Sequence, residues 1–338
     1  MKKIILAGFG FMGQTHAANI CSLPGVELAA VVDRVPKEQL RPVSGNIRTE
    51  RIEWSKIRDI PFFSTLEEAL NCCEADALVI ATPTRFHAES ILTGIRYGKH
   101  IFVEKPLCFS LEDAFEIRKQ LDGTGLIFQV GYCVRFMQEY RYLASLINSR
   151  EYGKLRFLQL YRYTGTPAWG DWKNPDQQDV SRSALFDLNI HDIDFMLSVL
   201  GEPKKVTLNS AVQKRFGNAV TDSTWEFADE HLGRIEGGFF PPSTLPFCSG
   251  YLAVFDNISL EYRSAAGAVV ARHGAEKNDI LTFEQDNNAY REEMRAFADS
   301  MIHGAQVQCG IEEGLQTLIW CHKLSKINPD FCVENMRN

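Results

Sequence analysis

A parallel α/β domain, followed by an α+β domain with a large, mostly antiparallel sheet flanked by helices, is the fold class this sequence predicts. Three observations predict it. Across the first 130 residues, short apolar runs alternate with helical patterns, the mark of parallel strands joined by crossover helices. From about 154 to 273, strand follows strand with a single helical interruption near 185–200. The 338 residues exceed one core of ordinary size, so two domains are expected, 1–130 and 131–338.

In order, Lys3 to Ala7 reads as a strand, Phe11 to Cys21 as a helix, and "VELAAVVD" (26–33) as a second strand. Residues 34–60 are polar and read as loop with some helix. "TLEEALN" (65–71) is helical, "ADALVIA" (75–81) is an apolar strand, and "HAESILTGIRYG" (87–98) is a helix stopped by Gly98. His100 to Glu104 is a buried strand closed by Lys105-Pro106. Ser110 caps a helix to Leu121, with Glu112 and Asp113 in its first turn. "LIFQVGY" (126–132) is one more strand.

The second domain supplies "KLRFLQLYRYTG" (154–165), "KVTLNSAVQKRF" (205–216), "STWEFADE" (223–230), "GRIEGGFF" (233–240), "YLAVFDNISLEY" (251–262) and "AVVARH" (268–273) as strands. In the first of these, Leu155, Phe157, Tyr161 and Tyr163 share one face and Leu158 and Leu160 the other, so both faces need a cover. Helices near 185–200, 287–303 and 311–326 are expected over one face. A second copy of the chain is expected on the open face around Leu158 and Leu160 or their neighbours, giving a homodimer or homotetramer.

A net charge of -7 argues against nucleic acid or an anionic membrane as partner, since both select basic surfaces. No apolar stretch approaches the roughly 20 residues of a membrane span. The apolar run at the start ends in Gly8-Phe9-Gly10, too short for an export signal. Nine cysteines, an odd number with no C-x-x-C pair, read as free thiols in a reducing cytoplasm. With no H-E-x-x-H either, no metal is expected.

"ILAGFGFMG" (5–13) carries Gly8-x-Gly10-x-x-Gly13 between the first strand and the first helix. The motif alone is weak; this context makes it a dinucleotide loop. Gly8 permits the tight turn, Gly10 lets the backbone approach a pyrophosphate, and Gly13 lets helix and strand close together. The N–H groups opening the helix, at Phe11 and Met12 after Phe9-Gly10, suit phosphate oxygens. Asp33 ends the second strand twenty residues after Gly13, where a carboxylate takes ribose hydroxyls and repels a 2'-phosphate. That favours NAD. Arg34 beside it keeps NADP open.

In such sheets the ligand lies across the carboxyl ends of the strands. Ala81-Thr82-Pro83-Thr84 ends one strand there and Glu104-Lys105-Pro106 the next. Lys105 is then a fixed positive charge beside the reacting carbon. In "ALFDLNIHDIDFMLSVL" (184–200), helical spacing puts Phe186, Ile190, Ile193 and Leu197 on an apolar stripe and Asp187, His191 and Asp194 on a polar one. A carboxylate one turn before a histidine can hold its imidazole. The same pattern also describes a solvated helix face.

With G-x-G-x-x-G, E-K-P and D-x-x-x-H in this order, the chain resembles the glucose–fructose oxidoreductase, inositol dehydrogenase and rhizopine-catabolism family (Gfo/Idh/MocA). The likeness covers nearly the whole length, including "GYCVRFMQEYR" (131–141), and E-K-P is its most specific mark. The resemblance implies a Rossmann domain, a nicotinamide cofactor, and Lys105, Asp187 and His191 as catalytic trio. It implies cofactor contacts at Gly8, Gly10, Gly13, Asp33, Thr82, Pro83, Glu104 and Lys105, and His87 also matches the pattern. The sequence departs from the family before the D-x-x-x-H helix, where "VSRSALFD" replaces a glycine-rich run and Asn189 stands where glycine is usual; asparagine tolerates positive φ.

The chemistry that follows is hydride transfer to or from a secondary hydroxyl of a sugar, cyclitol or sugar derivative. His191 is expected to take the hydroxyl proton, Lys105 to stabilise the alkoxide, and Asp187 to orient a hydroxyl or His191. Arg135, Tyr163, Trp169 and Trp172 are candidate substrate contacts, since donors and aromatic faces suit a polyhydroxylated ring. Two other readings stay open. One is an NAD-dependent glycoside hydrolase with no net redox change, the other a nucleotide- and sugar-binding regulator.

Overall fold

The computed structural model describes residues 1–43, 45, 49–166, 183–213, 217–228, 231–240, 243–267, 269–274, 276–283 and 288–327. The chain divides into two compact units, Met1–Phe136 with Asn288–Leu318, and Met137–Asn287 with Ile319–Asn338.

In the first unit β1 (Lys2–Ala7), β2 (Val26–Val32), β3 (Phe62–Phe63), β4 (Ala77–Ile80), β5 (His100–Glu104) and β6 (Phe128–Gly131) form one parallel sheet in the order β3-β2-β1-β4-β5-β6. This is the Rossmann order, and it reverses direction between β1 and β4. All four residues of β4 are fully buried, as are Ile101, Phe102 and Val103 of β5. Layers on both faces are why these strands read as unbroken apolar runs. Helices α1 (Phe11–Ser22), α2 (Leu66–Cys72), α3 (His87–Arg96) and α4 (Leu111–Leu121) connect the strands. The Thr65 and Ser110 hydroxyls cap α2 and α4, accepting from the N–H groups of Glu68 and Asp113.

The second unit contains α5 (Gln138–Ser149), β7 (Leu155–Gly165), α6 (Ile190–Leu200), β8 (Lys205–Gln213), β9 (Gly217–Glu226), β10 (Leu232–Phe240), β11 (Cys248–Phe255), β12 (Ile258–Arg263), β13 (Val269–Gly274) and β14 (Asn278–Thr282). Its sheet runs β14-β13-β12-β11-β7-β10-β9-β8, antiparallel except for the central β7–β10 pair. Residues 251–262, expected as one strand, fold into the β11–β12 hairpin. Asp256 in its turn accepts the Lys154 N–H at 2.7 Å and the Arg156 guanidinium at 2.6 Å. Such a carboxylate tolerates a reversal that the apolar pattern alone does not reveal.

The helix expected over this sheet at 287–303 is α7 (Ala289–His303) of the first unit. Its Met294, Phe297, Ala298 and Met301 share one core with Ile4, Ile20 and Phe102. Helix α5 takes its place. Tyr140 of α5 packs edge-on against Phe195 of α6 at 4.9 Å and against Tyr251 and Tyr262 of the sheet at 5.3 and 5.8 Å. Leu158 and Leu160 lie on this helix-covered face, fully buried, and not on the open one. The open face carries Phe157, Tyr161, Tyr163, Leu252 and Val254, all half-buried. The last helix, α8, spans Ile311–Ile327. Among the described residues no helix is long and apolar enough to cross a membrane.

Candidate functional site

The glycine loop leaves β1 at the switch point of the first sheet. Gly8 has φ +90°, and a Cβ there would sit 2.5 Å from the Ala81 carbonyl oxygen at the tip of β4. A Cβ on Gly13 would sit 2.0 Å from the Gly8 carbonyl oxygen. A Cβ on Gly10, by contrast, would meet nothing within 4 Å, and no side chain caps α1. Two glycines therefore close the loop and the third leaves it open beside the first helix N–H groups. This cradle fits a pyrophosphate.

Asp33, just past β2, is aimed at the loop. One carboxylate oxygen accepts the Phe9 N–H at 2.7 Å and the other the Val35 N–H at 2.8 Å, so its orientation is set before any ribose arrives. Arg34 is exposed, with its guanidinium 5.0 Å from the Phe86 ring centre, and Arg85 lies 4.8 Å from the same ring.

The tips of β4 and β5 are joined by His87. Its ring nitrogens lie 2.8 Å from the Thr82 carbonyl and 2.9 Å from the Pro106 carbonyl. Burial pushes its pKa below the ordinary value, against the pull of the two carbonyls and of Glu104. His87 is 1% exposed, which makes it a brace for the two tips rather than an open contact surface. Lys105 is half-buried and joined to Pro106 by a cis peptide bond. Before it, Glu104 accepts the Lys105 N–H at 3.2 Å on one oxygen, and its other oxygen is 2.6 Å from His16 Nε2.

In the second unit the segment expected as one regular helix opens with a π turn, Leu185–Asn189, before α6. Single π turns inside helices gather at functional sites. Asp187 lies in this turn and His191 in the first turn of α6, both half-buried. Asp194, assigned to the same polar stripe by its spacing, is fully buried. The segment is anchored from the sheet. Arg162 of β7 grips Asp192 with two guanidinium nitrogens at 3.2 and 3.0 Å, and both side chains are buried. Asn189 has φ -70°, so its backbone makes no use of a tolerance for positive φ. Its side chain accepts the Thr221 hydroxyl, and Gly237 leaves it room: a Cβ there would meet Asn189 Nδ2 at 2.6 Å.

The model of the oxidoreductase family with NAD-binding Rossmann fold matches residues 2–132, and that of the GFO/IDH/MocA C-terminal domain matches residues 140–244. The chain belongs to the Gfo/Idh/MocA family. It is 30% identical to scyllo-inositol 2-dehydrogenase (NAD(+)) of Bacillus subtilis (strain 168) over 71% of this chain and 68% of that protein. It is 23% identical to myo-inositol 2-dehydrogenase of Thermotoga maritima over 94% of this chain and 93% of that one. Its fold is similar to UDP-N-acetylglucosamine 3-dehydrogenase from Acidithiobacillus ferrooxidans, with a TM-score of 0.79, 17% identity and 98% of each chain covered.

Within this Gfo/Idh/MocA chain the glycine loop, Asp33, Thr82-Pro83 and Glu104-Lys105 gather at one edge of the first sheet, and Asp187 and His191 share one helical segment. Tyr163 does not join that segment. Its neighbour Arg162 points under α6, so Tyr163 points to the opposite face, stacked on Tyr161 at 5.6 Å. Arg135 belongs to the first unit, donating to the Gln308 carbonyl at 2.8 Å. Trp169 and Trp172 lie outside the described residues. Sequence reasoning missed His16 and Glu293, both fully buried next to Glu104. A signal for the second was present, since Glu293 falls on the stripe of Tyr290, Met294 and Phe297, where an apolar residue is the rule.

Proposed function

We propose that this protein is an NAD-dependent dehydrogenase that moves a hydride between nicotinamide and a secondary hydroxyl of a sugar, cyclitol or sugar derivative. The observation that carries the reading is the position of Lys105. It follows β5 directly, beside the β4 tip and one strand further from the glycine loop, at the edge where a Rossmann sheet receives its ligand. The inositol dehydrogenases among its relatives support the substrate class.

Gly8, Gly10, Gly13 and the first N–H groups of α1 would hold the pyrophosphate, and Asp33 the adenosine ribose. The bound nicotinamide supplies the hydride acceptor. Lys105 offers a positive charge to the hydroxyl oxygen as it turns to alkoxide. His191 takes the hydroxyl proton, and Asp187 fixes a neighbouring hydroxyl or the imidazole. The carboxylate of Asp33 favours NAD over NADP.

The test is a screen of cyclitols, hexoses and sugar acids with NAD, read as absorbance in the NADH band. Reduction of NAD by a cyclitol or sugar is the expected result. Chromophore release from aryl glycosides without net NADH would overturn it in favour of a hydrolase. Binding of sugar and NAD with neither reaction would favour a regulator.

A further inference from the structure

The first unit holds a buried group that the hydride-transfer chemistry leaves unused. His16 of α1, Glu104 of β5 and Glu293 of α7 bring one ligand atom each within 4.8 Å of one another. His16 and Glu293 are fully buried and Glu104 is 8% exposed. The ring of His16 stands edge-on to Phe102 at 5.1 Å, and Phe102 meets Phe297 of α7 at 5.8 Å, so an aromatic stack walls the group. Among the described residues neither carboxylate oxygen of Glu293 has a hydrogen-bond partner, and neither has Nδ1 of His16. The backbone carbonyl of Glu293 is held from the sheet by Gln129 Nε2 at 2.9 Å.

Two ionised carboxylates and a neutral imidazole would place two negative charges in this buried space, at a high cost in desolvation and repulsion. Positive charge has to enter, as a proton or as a metal ion. The contact of His16 Nε2 with Glu104 favours the proton. At 2.6 Å the two atoms are within reach of a short hydrogen bond, in which a proton joins nitrogen and oxygen. A metal bound by both atoms would take that proton's place and push them apart. We infer that His16, Glu104 and Glu293 form a proton-holding triad that positions Lys105, with Glu293 kept as a neutral acid. This rests on the reading of Lys105 given above.

Glu104 links the triad to the lysine. As the single carboxylate of the group it accepts His16 on one oxygen and the Lys105 N–H on the other, which pins the peptide from which Lys105 projects. A second charge on Glu293 would compete for the His16 proton and loosen that grip. Burial, and then the nearby Glu104, push the Glu293 pKa well above its usual 4.5. The groups facing the triad are Tyr290 of α7, which feels both carboxylates, Cys133 after β6, which bonds Tyr290, and His87 of α3, which feels Glu104. With its folded pKa raised, Glu293 contributes stability that is full below 4.5 and is lost as the pH rises through the folded value.

Infrared difference spectroscopy of the whole protein, parent against Glu293→Gln, tests the proton without any substrate. The expected result is a protonated-carboxyl C=O band at neutral pH in the parent and its loss in the variant. Glu293→Gln should also flatten the fall in stability on the alkaline side. His16→Asn then tests positioning: kcat should fall by roughly 10²-fold, the scale of a small misplacement, while NAD affinity moves less than about threefold. Absence of the band, or stoichiometric metal in the purified parent that Glu293→Gln loses, overturns the proton assignment. A band with His16→Asn turning over like the parent overturns the positioning role. If Lys105→Met is itself fully active, the band still decides the proton, so the two readings fail separately.

Discussion

Three glycines in one loop do different work, and single methyl groups separate their roles. A Cβ on Gly13 has backbone 2.0 Å away, whereas one on Gly10 meets nothing. Gly13→Ala should therefore lower both thermal stability and NAD affinity. Gly10→Ala should leave the melting temperature unchanged and weaken only the cofactor, as calorimetry on the two variants would read. Asp33 is the other discriminating residue. Its carboxylate is held by the Phe9 and Val35 N–H groups, and on the proposed function it faces the ribose. NAD should bind at least about tenfold tighter than NADP, about 1.4 kcal/mol. Equal or reversed affinities in a titration of both would mean that Arg34 and Arg85 recruit the phosphate instead.

At the scale of elements, the segment with Asp187 and His191 is placed by its partners more than by its own propensity. Arg162 and Asp192 are a buried pair, and burial pushes the Asp192 pKa up while the guanidinium pulls it down. Arg162→Met removes the cation and leaves the carboxylate uncompensated, at a cost of about 3–5 kcal/mol in denaturant unfolding. Adding Asp192→Leu should recover much of that loss. None of this was legible in "DLNIHDID", where Asp192 and Asp194 look like solvated charges. Asp192 is buried against Arg162, which a distant strand of the sheet supplies. The parallel strands were legible because burial on both faces writes continuous apolar runs. The β11–β12 hairpin was not, because Asp256-Asn257 interrupts an apolar pattern by only two residues. The glycine loop and E-K-P turn were readable because each packs its chemistry into one short segment. The triad was not, since its members lie at 16, 104 and 293 and meet only through the fold.

At the scale of the whole molecule, no helix among the described residues of the second unit covers the sheet face that carries Phe157. Phe157, Tyr161, Tyr163, Leu252 and Val254 share that face with Gln159, Arg234 and Glu236, a mixed apolar and hydrogen-bonding surface of the kind copies of a chain bury. The self-association predicted here uses this face, opposite Leu158 and Leu160. Light scattering at micromolar concentration should give a mass above the 38.2 kDa of one chain. Phe157→Lys should shift it toward the single-chain value.

Single-turnover hydride transfer tests most directly whether Lys105 works on the oxygen whose carbon gives up the hydride. The parent, Lys105→Met, His191→Ala and the double variant are each mixed with NAD and a substrate from the screen. Lys105→Met should bind NAD like the parent and transfer hydride about 10²-fold more slowly or worse, the scale of one preorganised donor. The double variant should lose far less than the product of the single losses, because both groups act on one oxygen. Transfer by Lys105→Met at the parent's rate would contradict the account, leaving Lys105 a charge at the end of a strand.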